Sequence, residues 1–109
     1  GLIFILGGNM EKTSCERIIM NAVNAIESNT ELFYQQKQNE GYQMLNTTLV
    51  MLMQAINAIK ELQSDGDSSN IDELNYVLSF AVNALESKDT ILLSDILYFD
   101  LKPLLEQNL

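Results

Sequence analysis

The stretch Tyr42-Gln43-Met44-Leu45-Asn46-Thr47-Thr48-Leu49-Val50-Met51-Leu52-Met53-Gln54-Ala55-Ile56-Asn57-Ala58-Ile59-Lys60-Glu61-Leu62 decides the fold class. Tyr42, Leu45, Leu49, Leu52, Ile56 and Ile59 recur at alternating steps of three and four. Met44, Thr48, Met51, Ala55, Ala58 and Leu62 form a second stripe beside them. A period of 3.6 with two adjacent stripes is a helix with a wide apolar face, which suits packing against two neighbours in a bundle.

The same period continues on both sides. Upstream, Cys15, Ile19, Ala22, Ile26 and Phe33 mark a first helix, with Asn29 in one apolar slot. Thr13 with Glu16 reads as a capping box, which starts the helix near Ser14. Ser28-Asn29-Thr30 could stop it early, whereas Leu32 and Phe33 argue for continuation to about Gln36. The polar run from Gln35 to Gly41 holds the turn into helix two.

Downstream, Ser64-Asp65-Gly66-Asp67-Ser68-Ser69 is rich in turn formers. Asn70 with Glu73, or Ser69 with Asp72, then caps a third helix bearing Ile71, Leu74, Val77, Leu78, Ala81, Val82 and Leu85. Ser87-Lys88-Asp89 is a tight turn. A fourth helix from about Thr90 carries Ile91, Leu92, Leu93, Ile96, Leu97, Phe99, Leu101, Leu104 and Leu105. Its wet strip is narrow: Ser94, Asp95, Tyr98, Lys102 and Glu106. The resulting expectation is an all-α domain over 10–109, an antiparallel four-helix bundle with up-and-down topology and short connections. Three similar strings, Ala22-Val23-Asn24-Ala25, Ala55-Ile56-Asn57-Ala58 and Ala81-Val82-Asn83-Ala84, fit that picture. Each sets two alanines three apart for close helix approach and turns the Asn away.

Composition narrows the chemistry. The chain has 109 residues, 47% of them hydrophobic, and a formal charge of −9 from 15 acids against 6 bases. That field opposes phosphate backbones and anionic lipid, so neither nucleic acid nor membrane is an expected partner. No His is present, which removes the commonest general base and metal ligand. No metal, cofactor or catalytic residue is expected. Asp65-Gly66-Asp67-Ser68-Ser69-Asn70 begins like a calcium loop, but Asn70 stands where the turn Gly belongs and Tyr76 where the bidentate Glu belongs. Its acids read as a solvated turn and a helix cap. The lone Cys15 lies on an apolar stripe and reads as core, with a cytoplasmic setting as the default.

Two readings of the fourth helix remain open. Its surplus apolar circumference implies deep burial or contact with another chain, with Ile91, Leu93, Leu97, Leu101 and Leu105 as the candidate partner surface. On a helical wheel Asp100 falls inside the apolar arc, where an unpaired carboxylate is costly. Pro103 supplies the preferred explanation, in which the helix kinks and Asp100 becomes the N-cap of a short terminal helix. Alternatively Asp100 is a functional acid, grouped with Asp95, Tyr98 and Lys102 in a small-molecule-binding regulator or enzyme.

The last quarter of the chain, from Ala84-Leu85-Glu86-Ser87-Lys88-Asp89 through Leu92-Leu93-Ser94-Asp95 and Tyr98-Phe99-Asp100-Leu101-Lys102-Pro103-Leu104-Leu105, resembles a family of small, uncharacterised helical proteins from low-GC Gram-positive bacteria. The resemblance implies no activity and transfers no site residue. In size and architecture alone the chain is similar to flagellar export chaperones, which hold a partner's terminal helix. The leading functional expectation is therefore non-catalytic: an interaction protein binding a protein partner or a second copy through its C-terminal helix.

The apolar start Gly1 to Leu6 has neither the basic flank of a signal peptide nor the length of a membrane span. Ile5-Leu6-Gly7-Gly8-Asn9-Met10 can be spelled ATT-TTA-GGA-GGT-AAT-ATG, which places AGGAGG, a bacterial ribosome-binding site, just ahead of ATG. Residues 1–9 thus read as translated leader, with Met10 as the start. Intact-mass measurement on protein from its native cells is expected to give a chain beginning at Met10, and a mass that includes Leu2 to Asn9 would refute this.

Overall fold

A computed structural model describes residues 12–63 and 69–109. Among the described residues all the regular structure is helical. Helix α1 spans Lys12–Tyr34, α2 Gln38–Leu62 and α3 Ser69–Glu86. The fourth, C-terminal helix is built in three consecutive parts: α4 Thr90–Asp95, a π-helical segment Ile96–Leu101, and α5 Lys102–Glu106. The expected leader and the Asp65 to Ser68 turn lie outside the described residues. Among those described, no helix is long and apolar enough to cross a membrane.

Helix α1 is the hub. It packs along α2 on one side and against α4, the π segment and α5 on another, while α3 lies mainly on the C-terminal helix and touches α2 only briefly. Wide apolar faces therefore meet as anticipated, although the two stripes of α2 are used chiefly against α1. The core joins Ile19, Ile26 and Phe33 of α1 to Leu52 and Ile59 of α2, Leu74 of α3, and Leu97, Leu101 and Leu105 of the last helix. Ala22, Ala25, Ala55, Ala58, Ala81 and Ala84 are all buried, and Asn24, Asn57 and Asn83 between them are exposed. Small side chains at this spacing let neighbouring helices approach closely.

Thr13 is already helical, so the capping box does not start α1. Nor do Ser28-Asn29-Thr30 end it. Two of their polar groups bond within the fold: Thr30 Oγ1 donates to the Ile26 carbonyl at 2.8 Å, and Asn29 Nδ2 donates to the Gly41 carbonyl at 3.0 Å. Residues that elsewhere compete with helix here bond along it or across to its neighbour. The helix ends after Tyr34 in a Schellman arrangement, with Lys37 N donating to Leu32 O at 2.9 Å and Gln36 N to Phe33 O at 3.0 Å. Gln36 takes a left-handed φ of 63°, and Lys88 takes one of 60° at the equivalent turn after α3. Asp89 then caps α4, its side chain accepting from Leu92 N at 3.0 Å.

Gly41 belongs to the first turn of α2 rather than to the loop, and it is buried. A Cβ there would stand 2.5 Å from the ring of Phe33. Phe33 is fully buried, with Tyr42 edge-on to it at a centroid distance of 5.4 Å. Helices α1 and α2 thus meet at this end through a glycine, an aromatic ring and the Asn29 bond. At the other end, Asn108 Nδ2 donates to Asn70 Oδ1 at 3.0 Å, tying the chain terminus to α3. Both Ser69 and Asn70 already lie within α3, so any cap of that helix precedes them, outside the described residues.

The C-terminal helix overturns one expectation. Asp100 is not an N-cap, because the backbone stays helical through Leu101 and Lys102. Lys102 N donates to Leu97 O, five residues back, so the ladder has slipped from the α to the π pattern. Pro103 explains the slip: it has no N–H for the carbonyl of Phe99, and its ring would crowd that oxygen in a tight α turn. Widening the preceding turns by one residue relieves the clash and rotates the downstream residues by roughly 100° relative to an α register. Asp100 moves out of the apolar arc to the surface, and Leu101, Leu104 and Leu105 stay buried. Ser94, expected on the wet strip, is fully buried, because the helix is covered by α1 and α3 together.

Gly41→Ala is expected to destabilise the fold by ~1–3 kcal/mol through overpacking against Phe33. Gln36→Gly should stabilise it by roughly 0.5–1 kcal/mol by relieving the left-handed strain. Urea denaturation of both variants measures the two shifts, and equal midpoints for Gly41→Ala and the parent would remove Phe33–Gly41 as a packing constraint.

Candidate functional site

The expected partner surface divides on folding. Leu93, Leu97, Leu101 and Leu105 are buried in the chain's own core, so they are not available to a partner. Ile91 is half exposed, and Leu92 beside it and Phe99 further along the helix are exposed too. Apolar surface on the last helix therefore exists, carried by different residues from the leucine stripe.

A shallow, open groove of about 390 Å³ runs between α1 and the π segment, lined by Glu27, Thr30, Glu31, Tyr34, Gln35, Tyr98 and Phe99. Glu27, Glu31 and Tyr34 follow one another at steps of four and three, so α1 presents them on a single face. The π segment supplies the other wall. Its side chains Tyr98 and Phe99 meet edge to face at 5.0 Å, and Phe99 is 64% exposed.

Two polar clasps close the groove onto the helix pair. Tyr34 Oη donates to Asp95 Oδ1 at 2.6 Å. Lys102 Nζ lies 2.9 Å from Glu27 Oε2 and 4.4 Å from the centre of the Tyr98 ring. Of the four residues grouped from the sequence, Tyr98 lines the groove, and Asp95 and Lys102 bond its lining residues Tyr34 and Glu27 through the two clasps. Asp100 is not among its lining. Sequence reading missed Glu27, Glu31 and Tyr34, although their helical spacing on the polar side of the first apolar stripe was a usable signal.

The electrostatics favour fixed charge and hydrogen bonding over proton exchange. Partial desolvation, then the hydrogen bond to Asp95 and its charge, push the Tyr34 phenol well above its ordinary value. It remains a donor at neutral pH. The hydrogen bond from Lys102 to Glu27 raises the lysine above its ordinary value, against a smaller opposing effect of burial. It remains an ammonium, rather than the neutral amine that a Lys nucleophile or base requires. Elsewhere, burial, followed by the charges of Glu16 and Glu61, raises the Cys15 thiol and so suppresses the thiolate. Among the described residues no three Cys, Asp or Glu side chains converge in a way that could hold a metal ion.

Tyr34 and Lys102 hold their protons more tightly in the folded than in the unfolded state. Their contribution is complete below about pH 10 and is lost as pH rises through the higher folded values. Urea midpoints are expected to be unaffected by these groups between pH 7 and pH 9 and to fall above about pH 10. Tyr34→Phe should reduce the alkaline fall, and an unchanged fall in that variant would show that the Tyr34–Asp95 bond is not its source.

One family model matches residues 13–108, described as a domain of unknown function (DUF8042). No curated protein and no solved structure matches the chain.

Proposed function

The chain belongs to the DUF8042 family, and from its surface we propose that it is a non-catalytic binding protein whose docking site is the groove between α1 and the π segment. The observation that carries this reading is the exposure of Phe99, at 64%, beside Tyr98 and Tyr34 in a groove walled by carboxylates. An aromatic side chain held out from a well-packed helix is a common anchor of protein interfaces. A π segment inside an α-helix is frequently a functional feature.

The scaffold in this reading is an antiparallel, up-and-down bundle. Support comes from contacts that run in opposite senses along paired helices: Tyr34 bonds Asp95 whereas Glu27 pairs with Lys102, and Asn70 near the start of α3 bonds Asn108 at the chain end. The −9 charge favours a protein partner over nucleic acid or an anionic membrane. It also makes two copies repel, which favours a distinct partner over a homodimer. An intracellular setting and a bacterial origin belong to the same reading, supported by the lone buried Cys15 and by the C-terminal sequence resemblance. Export-chaperone-like capture of a partner's terminal segment is the form of binding closest to the groove's open shape.

The test compares Phe99→Asp with Met53→Asp, a similarly exposed apolar position on α2. Affinity capture from the native cell and light scattering after size exclusion are expected to show a complex that Phe99→Asp loses and Met53→Asp retains. A strict monomer whose captured proteins are the same in both variants would overturn the proposal.

A further inference from the structure

Resting on the docking site proposed above, we infer that the groove takes a cationic side chain, arginine by preference, from a basic and partly apolar segment of the partner. The chain already contains one solution to this binding problem. The Lys102 ammonium is held by the Glu27 carboxylate at 2.9 Å and by the π face of Tyr98 at 4.4 Å. A carboxylate beside an aromatic face is the chemistry that desolvates and orients a cation.

The rest of the groove repeats those components without their cation. Glu31 and Tyr34 lie on α1, one and two helical turns beyond Glu27, with Phe99 on the facing wall. Glu31 accepts from the neutral amide of Gln35 at 3.1 Å, and behind the groove's lining Asp95 accepts from the neutral phenol of Tyr34. Among the described residues neither carboxylate has a Lys or Arg within ion-pair distance. Phe99 and Tyr34 are 64% and 42% exposed, respectively.

Shape and charge narrow the occupant. The groove is open along its length rather than a closed cage, so a free quaternary ammonium would gain little enclosure there, whereas an extended chain could lie along it. A guanidinium can stack on a ring and bond a carboxylate through its planar fork, which an ammonium cannot do as well. The overall −9 charge adds long-range attraction for a basic segment.

The experiment is an amide NMR titration of the full chain with four probes. They are an acetylated, amidated decapeptide of alternating arginine and leucine, its lysine and citrulline counterparts, and tetramethylammonium chloride. Saturable shifts at Glu31, Tyr34, Tyr98 and Phe99 are expected with the arginine peptide, weaker binding with lysine, and at least roughly tenfold weaker binding with neutral citrulline. Glu31→Gln and Phe99→Ala, both at exposed positions, should each weaken the arginine peptide about fivefold or more. Glu73→Gln, an exposed acid on α3, should leave it unchanged.

Four outcomes overturn the inference: no binding, shifts spread over all acidic surfaces with Glu73→Gln as damaging as Glu31→Gln, equal binding of citrulline, or tetramethylammonium binding as tightly as the peptide. If citrulline binds equally while Phe99→Asp still abolishes the native complex, the docking groove stands and its cation preference falls. If both fail, the docking reading falls as well.

Discussion

Pro103 cannot give a hydrogen bond to the carbonyl of Phe99, and the arrangement of the last helix follows from that missing donor. A sharp kink at this point would have separated the apolar residues on its two sides. The π segment Ile96–Leu101 keeps the axis continuous and changes only the register. Leu93 and Leu97 before the slip and Leu101 and Leu105 after it consequently reach the same core. The same slip carries Asp100 out of the interior and leaves Phe99 on the surface. Burial of the core and exposure of the groove's outer wall are thus two results of one local constraint.

The α1–α2 end depends on a different kind of fit. Gly41 admits the Phe33 ring, and the Asn29 amide crosses to the Gly41 carbonyl from the same side. Neither contact is hydrophobic patterning in the ordinary sense; one needs the absence of a Cβ and the other a polar group at a fully buried site. The interior also holds polar groups, since Asn29, Thr30, Thr48, Thr90 and Ser94 are all buried. Asn29 Oδ1 and Ser94 Oγ have no partner there, a cost that apolar residues would avoid. Such groups favour a particular apposition over a merely greasy one, and they lie next in sequence to Thr30 and Asp95, which serve the groove.

Periodicity carried the helices because each has a face of at least three turns buried against a neighbour, and that burial repeats at 3.6 residues. Hence α2, the alanine pairs, the start of α4 at Thr90 and the all-helical class were legible. Thr13 misled because capping propensity is local, and Ser28-Asn29-Thr30 left the end of α1 open, which packing against α2 decides in favour of the continuation that Leu32 and Phe33 suggested. The wheel placed Asp100 inside the apolar arc because it assumes 100° per residue throughout. A proline was visible, but the sequence offers no local rule that chooses between a kink and a π slip; the deciding factor is that leucines on both sides must share one core. The candidate groove was half legible for a related reason. Asp95, Tyr98 and Lys102 are close along one helix, while Glu27, Glu31 and Tyr34 join them only through the packing of α1 against that helix.

The acids, too, acquire a different meaning from this packing. On composition alone 15 acids against 6 bases argue mainly about what the chain repels. In the fold, Glu27 and Glu31 stand within one aromatic-walled groove, and among the described residues Glu27 is matched by an ammonium whereas Glu31 is not. Lys102 can reach Glu27 because the π slip turns position 102 toward α1. Its partly buried ammonium then spans the two walls, charge on one side and ring on the other. A carboxylate facing bulk water would gain little from such a neighbour, since solvent screens the pair. Beside an aromatic ring, part of that water is displaced and the attraction for a cation increases. The functional content of the negative charge thus lies less in its total than in the few carboxylates that packing sets next to exposed rings.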